Sequence, residues 1–122
     1  MQNILVIDDE KAISDILSQA LTRFGFNVDT AENGTEGIVK FDRDAFDLVI
    51  TDICMAGMGG NDVVRHIRNS RRRTTPIIGI SGTAWLLEER QFDAVLPKPF
   101  SLKTLADTVR GLTSPPQELA EE

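Results

Sequence analysis

Ile4-Leu5-Val6-Ile7-Asp8-Asp9 is the stretch of this chain that decides its fold. Four consecutive apolar residues have the length of a β-strand covered on both faces, as in a parallel sheet, and two carboxylates follow them directly. Two similar, mainly apolar runs occur later in the chain. Residues 46–51 are followed by Asp52, and residues 76–80 are followed by Ser81. These strands predict a parallel sheet with polar side chains along one edge.

Helical patterns lie between the apolar runs. Apolar residues recur with helical spacing from Ile13 to Leu21, and Gly25 follows as the expected stop. The last helical pattern begins after Ser101, which is placed as its N-cap. The alternation of strand and helix predicts the α/β class, as a three-layer, doubly wound domain with a parallel five-stranded sheet.

The weaker elements complete this prediction. Strands are expected at residues 27–30 and 94–96, and short helices after Asn33 and after the glycine-rich loop at 57–60. Only twelve residues, 82–93, connect the fourth strand to the fifth, which leaves room for about two helical turns. We therefore expect a shortened fourth helix.

Length and composition limit the class of protein. The 122 residues suit one domain, predicted at 1–112, and the helical pattern stops before a flexible tail or linker stub at 113–122. A net charge of −6 argues against nucleic-acid binding by this chain itself. No apolar run has bilayer length, and the N-terminus lacks a secretory pattern, so we expect a cytoplasmic protein without membrane contact. The single cysteine, Cys54, excludes an intramolecular disulfide.

Polar groups follow the strands at the edge where parallel sheets bind ligands. They are Asp8, Asp9, Asp52, Ser81 and Lys98. Crowded carboxylates repel one another and favour a bound cation. Oxygen ligands suit Mg²⁺, or Mn²⁺, better than zinc, which prefers nitrogen and sulfur.

At these residues the sequence resembles the receiver domain of two-component response regulators. The resemblance covers about residues 3–112 and implies the flavodoxin-like strand order 2-1-3-4-5. The motifs that carry it are Ile7-Asp8-Asp9-Glu10, Ala31-Glu32-Asn33-Gly34-Thr35-Glu36-Gly37, Leu48-Val49-Ile50-Thr51-Asp52-Ile53-Cys54-Met55, Ile78-Gly79-Ile80-Ser81 and Lys98-Pro99-Phe100.

The resemblance also implies roles for individual residues. Asp52 would accept a phosphoryl group, Ser81 would donate a hydrogen bond to it, and Lys98 would pair with it or with Asp52. Mg²⁺ would be bound by Asp9, Asp52 and the backbone carbonyl of Cys54, and by Asp8 largely through water. A cis peptide bond is expected between Lys98 and Pro99.

The function implied is a phosphoacceptor that takes its phosphoryl group from a phosphohistidine. The partner would be a sensor histidine kinase or a histidine phosphotransfer protein. The chain would not be an enzyme with a separate substrate, since it would catalyse only its own phosphotransfer and autodephosphorylation. We expect a downstream protein target, or an output domain that these residues do not encode.

The chain departs from the family pattern in three places. The loop 55–60 is rich in glycine, which predicts a mobile rim, and Val95 stands where the family often has an aromatic residue. The third departure is the short segment 82–93. Because Val95 is too small and stiff to act as an aromatic switch, we expect phosphorylation to order that segment around Trp85.

Three other functions would each require different features of the sequence. An aspartate-nucleophile phosphatase would need a second acid where Cys54 stands, and a flavodoxin would need a phosphate loop where Asp8-Asp9-Glu10 stands. A degenerate receiver that acts as a phosphorylation-independent adaptor stays the alternative. His66, with no acidic partner in its pattern, and the run 71–73 of three arginines are interpreted as surface residues.

Overall fold

The structure, a computed structural model, describes residues 2–82 and 91–113. Its elements in chain order are β1 (Asn3–Ile7), α1 (Lys11–Arg23), β2 (Asn27–Ala31), α2 (Gly34–Arg43), β3 (Leu48–Asp52), α3 (Gly60–Arg68), β4 (Ile77–Ser81), β5 (Ala94–Pro97) and α4 (Leu102–Thr113). The five strands form one parallel sheet in the order β2-β1-β3-β4-β5, which confirms the predicted class and order.

Alternate residues of the strands face two separate cores. Ile4 and Val6 of β1 pack with α1 and α4, whereas Leu5 and Ile7 pack with α2 and α3. All four side chains are fully buried. Because each strand contributes apolar residues to both faces, the continuous apolar runs of the sequence follow directly from the three-layer arrangement.

The predicted helix ends are confirmed. Gly25 follows the C-cap residue of α1 with φ of +97°, a backbone conformation that favours glycine. Ser101 caps α4, where its Oγ accepts a hydrogen bond from the Thr104 backbone N–H at 3.0 Å. Gly25 thus ends α1 before β2 begins, and Ser101 begins α4 after β5.

Some predicted boundaries shift by one or two residues. The strands β2 and β5 each extend one residue further than predicted. The third strand was predicted to begin at residue 46 and begins at Leu48. The preceding residue, Asp47, makes two hydrogen bonds to Asn3: its backbone N–H donates to the Asn3 carbonyl at 2.8 Å, and its Oδ2 accepts from the Asn3 backbone N–H at 2.7 Å.

Two predictions lie largely outside the described residues. The shortened fourth helix with Trp85 was predicted within 82–93, of which residues 83–90 are not described. The tail was predicted at 113–122, but Thr113 is the buried last residue of α4, and residues 114–122 are not described. Among the helices of residues 2–82 and 91–113, none combines the length and apolar character needed to cross a membrane.

Candidate functional site

The carboxyl ends of four neighbouring strands supply the candidate site. Asp8 directly follows β1, Asp52 ends β3, Ser81 ends β4 and Lys98 follows β5. In-register parallel pairing places these strand ends at one edge of the sheet. The topology therefore brings together the side chains that the sequence placed at strand ends.

Four carboxylates form a cluster at this edge. Asp8, Asp9, Glu10 and Asp52 each offer one oxygen, and these oxygens all lie within 4.8 Å of one another. Asp8 and Asp52 are buried, with 2% and 4% of their surface exposed, while Asp9 and Glu10 are exposed. No role was predicted for Glu10, although the unbroken run Asp8-Asp9-Glu10 is a signal in the sequence that indicates its place in the cluster.

Burial shifts the two interior carboxyls toward their neutral forms. Burial raises the pKa of Asp8 to about 6 from an ordinary value of 3.8, although the hydrogen bond from the Glu10 backbone N–H opposes this shift. Burial also raises the pKa of Asp52, against the opposing charge of Lys98. A positive charge close to these two carboxyls would oppose the shift and stabilise their ionised forms.

Lys98 supplies positive charge to the cluster. Its Nζ lies 3.7 Å from Oδ1 of Asp52 and 3.6 Å from Oε1 of Glu10. Its backbone N–H donates to the Ser81 carbonyl at 2.9 Å, and the peptide bond to Pro99 is cis, as predicted. The lysine is thus anchored at the end of β4 while its ammonium group lies between two carboxylates.

The loop after Asp52 is held against the sheet at its two ends. The Ile53 N–H donates to Ile80 O, and the Gly60 N–H donates to Ile53 O, each at 3.0 Å. A Cβ atom at Gly60 would lie 2.7 Å from the carbonyl oxygen of Asp52, so glycine is required by close backbone approach. Cys54 lies exposed in this loop. The mobility of the rim stays a prediction.

The cluster has the chemistry of a divalent-cation site. Oδ2 of Asp8 is buried and has no hydrogen-bond partner within the part of the chain that the structure describes. A buried carboxylate oxygen without a partner is costly, and a cation would satisfy it. Since the side-chain donors are all carboxylate oxygens, they fit Mg²⁺ or Mn²⁺ better than zinc.

His66 makes a contact that was not predicted. It was interpreted as a surface residue, and it lies partly exposed on α3, but its Nε2 is 2.9 Å from Oδ1 of Asp42 in α2, a partner that the sequence did not indicate. The partner belongs to another helix, and the periodicity of α3 could not reveal it. The pair lies at the helix layer, away from the carboxylate cluster.

The arginine run also does more than contact solvent. Residues 71–73 are exposed, as predicted, but the guanidinium of Arg72 donates to the carbonyls of Phe41 and Asp44 at the end of α2. This contact fixes the α3–β4 connection to α2.

Val95 stands where the family often has an aromatic residue. It is half-buried in β5 and pairs in register with Gly79 of β4.

The clustered carboxylates and the lysine lie at the carboxyl edge of a doubly wound parallel sheet, which is where this class of α/β domain binds its ligands. Residues 4–110 match the family described as response regulator receiver domain. The chain belongs to this family, whose members act in two-component signalling.

Relatives and solved structures agree with this assignment. The chain is 35% identical over 114 residues to the transcriptional regulatory protein ResD of Bacillus subtilis, covering 89% of this chain and 47% of ResD. It is 31% identical over 114 residues to TrcR of Mycobacterium tuberculosis, covering 89% of this chain and 44% of TrcR. The chain thus spans about half the length of the curated relatives that it matches.

One solved structure is informative about the site. The response regulator TrrA of Thermotoga maritima, solved in complex with Mg²⁺–BeF, is 35% identical, with a TM-score of 0.85. The match covers 92% of this chain and 99% of TrrA.

Proposed function

We propose that this receiver domain accepts a phosphoryl group on Asp52 from a phosphohistidine and signals through the resulting change in conformation. The observation that carries the proposal is the position of the Lys98 ammonium, 3.7 Å from Oδ1 of the buried Asp52, beside the cluster of carboxylates. A nucleophile, a neutralising cation and a cation-binding set of oxygens therefore share one edge of the sheet.

The transfer follows from these groups. A carboxylate oxygen of Asp52 attacks the phosphorus in line, an oxygen–phosphorus bond forms, and the phosphorus–nitrogen bond of the phosphohistidine breaks. The leaving imidazole nitrogen keeps the electron pair and takes up a proton. Lys98 offsets the charge that develops on the phosphoryl oxygens, and the Ser81 hydroxyl donates a hydrogen bond to one of them. Hydrolysis later returns Asp52 to its carboxylate.

Asp8, Asp9, Asp52 and the carbonyl of Cys54 are the groups that would hold Mg²⁺, with Mn²⁺ as a substitute. When bound, the cation supplies charge neutralisation for the phosphoryl oxygens. The unpartnered Oδ2 of buried Asp8 supports this assignment. Glu10, at the exposed side of the cluster, adds negative charge and contacts Lys98.

The partners follow from the family. Receiver domains interact with histidine kinases or histidine phosphotransfer proteins, and we propose such a protein as the phosphoryl donor. On this proposal the chain is not an enzyme with a separate substrate, since the phosphoryl group is transferred to the chain itself. The signal passes to a downstream target or output domain in the cytoplasm.

The test is incubation with a small phosphoryl donor and Mg²⁺, followed by intact-mass measurement. One phosphoryl group should be added to the wild-type chain and none to Asp52→Asn. Asp44→Asn is the matched control, because Asp44 is an exposed carboxylate that follows α2 and lies outside the cluster. Incorporation should also be lost in EDTA.

Two results would contradict the proposal. Equal incorporation in Asp52→Asn would show that another residue is the acceptor. No incorporation into the wild-type chain with any small donor or histidine phosphotransfer protein would favour the phosphorylation-independent adaptor.

A further inference from the structure

A pocket of about 330 Å³ lies beside the carboxylate cluster, between the start of α1 and the loop that follows β2. It shares Asp8 and Asp9 with the cluster, and its other lining residues belong to α1 and to residues 30–33. Pockets that hold a whole ligand usually measure about 300–1,000 Å³. This pocket is therefore large enough for a small polar group, such as the end of one side chain, and too small for most cofactors.

Hydroxyl groups without partners line the pocket. Ser14 of α1 is 7% exposed, and its Oγ makes no hydrogen bond with residues 2–82 or 91–113. Thr30 of β2 is half-buried, and its Oγ1 likewise has no partner among those residues. A buried hydroxyl that lacks a hydrogen bond costs free energy, and a ligand that donates a hydrogen bond to it recovers this cost.

The charge at the pocket is negative. Asp15 pairs with Lys11 at 3.4 Å, so the charges of these two residues offset each other. Glu32 is exposed at the pocket and forms no ion pair within the part of the chain that the structure describes. The pocket thus keeps a free carboxylate even when a cation is bound to the neighbouring cluster, and it suits a positively charged ligand.

The spacing of the acceptors favours an organic cation over a second metal ion. Among the described residues, the carboxylates close enough to share a metal ion are the four of the cluster, and neither Asp15 nor Glu32 is one of them. A guanidinium group carries five N–H donors in a planar fork, whereas an ammonium group carries three on one atom. Acceptors that come from α1, from β2 and from the loop after β2 therefore suit a guanidinium group best.

We propose that this pocket binds the guanidinium group of an arginine on the protein that donates the phosphoryl group, with Ser14, Thr30 and Glu32 as the acceptors. The inference rests on the proposed function, which makes the donor a protein that carries a phosphohistidine. Such a protein must cover the cluster to bring its histidine to Asp52, and the pocket shares two lining residues with that cluster. The pocket thus selects donors that carry an arginine close to the histidine.

Binding of ethylguanidinium tests the pocket without phosphoryl transfer. The ion is titrated into the wild-type protein in the presence of Mg²⁺, and the NMR shifts of the backbone amides of Ser14, Thr30 and Glu32 are followed. Ethylammonium, which has the same charge, should bind several-fold more weakly because it has fewer donors. Ser14→Ala should weaken ethylguanidinium binding about tenfold, through the loss of a hydrogen bond to a charged group. Glu32→Gln should weaken it about threefold, as for an exposed ion pair.

Two features of the design separate a binding effect from a folding effect. Alanine is the best helix former, so Ser14→Ala should leave α1 intact. Asp44→Asn controls for the loss of one charge, because Asp44 is an exposed carboxylate outside the pocket. Equal binding of ethylguanidinium by wild type and Ser14→Ala would overturn the proposal, and so would equal affinities of the wild-type protein for the two ions.

Competition tests the partner. Saturating ethylguanidinium, compared with ethylammonium at the same concentration, should slow transfer to the wild-type chain from a phosphorylated histidine phosphotransfer protein several-fold. It should not slow phosphorylation by phosphoramidate, which carries no arginine. Equal effects on the two donors would overturn the proposal. Failure of phosphoramidate to phosphorylate Asp52 would instead contradict the proposed function, and binding of ethylguanidinium would still decide whether the pocket takes a guanidinium group.

Discussion

The ammonium nitrogen of Lys98 lies 3.7 Å from Oδ1 of Asp52, across the end of β4, which separates the strands that carry them. The lysine side chain is 28% exposed, whereas the aspartate side chain is 4% exposed. The positive charge thus stands at the mouth of the site and the carboxylate inside it. Because burial still raises the pKa of Asp52, the lysine offsets only part of the cost of burying that charge.

Lys98→Met should slow phosphorylation by about 100-fold, the usual loss when one group that neutralises a developing oxyanion is removed. The measurement is the initial rate of incorporation from a small phosphoryl donor at fixed Mg²⁺. Lys103→Met is the control, because Lys103 is an exposed lysine on α4. A Lys98→Met rate equal to that of the control would contradict the role of Lys98.

Asp8→Asn should stabilise the metal-free protein. The change removes a buried negative charge while it keeps an oxygen to accept from the Glu10 N–H. At neutral pH the gain is up to about 3 kcal/mol, from 1.36 kcal/mol for each unit by which the folded pKa is raised. Thermal unfolding in EDTA measures it, with Asp15→Asn, an exposed carboxylate of α1, as the control.

Mg²⁺ should in turn stabilise the wild-type protein more than Asp8→Asn. A ligand that binds only the folded state, present at 100 times its Kd, adds about 2.7 kcal/mol to the free energy of unfolding. The variant lacks one of the carboxylates and should gain less. A lower melting temperature for metal-free Asp8→Asn than for wild type would contradict the argument from buried charge.

Stability should depend on pH in a direction that Asp8 sets. The pKa of Asp8 is about 6 in the folded protein, against an ordinary value of 3.8, which applies to the unfolded chain. Between these two pH values the folded state therefore binds more protons than the unfolded state. The contribution of Asp8 to the free energy of unfolding therefore falls as pH rises from about 4 to about 6. The difference between wild type and Asp8→Asn in EDTA should grow over this interval, and a constant difference would exclude the effect.

The fold was predictable because its signals are local. Each strand that is covered on both faces reads as an apolar run, and the strand ends are marked by Asp8, Asp52 and Ser81. Parallel pairing then places these ends at one edge without any further information. The strand entrance at Asp47 was less predictable, since it depends on hydrogen bonds to Asn3 on a neighbouring strand.

Contacts between elements were beyond the sequence patterns. The pairing of His66 with Asp42 joins two helices, and Glu10, which precedes α1, contacts Lys98, which follows β5. Neither contact follows from periodicity, which reports only the face of one helix or strand. The requirement for glycine at position 60 likewise arises from the backbone of Asp52, and it was interpreted from the sequence as loop mobility.

Gly60→Ala should destabilise the protein by about 1–3 kcal/mol, the usual cost of forcing extra atoms into a packed site. The new Cβ would lie 2.7 Å from the Asp52 carbonyl oxygen and 2.8 Å from Cα of Ile53, so rigid backbone would have to move. Gly111→Ala is the matched control: it lies in α4 with nothing within 4 Å of its new Cβ, and it should stabilise the helix by up to about 1 kcal/mol. Urea unfolding gives both values. Because the backbone shift at Gly60 would displace Asp52, phosphorylation should also slow in Gly60→Ala but not in Gly111→Ala. Equal stability of the two variants would refute the close approach of Gly60 to the Asp52 carbonyl.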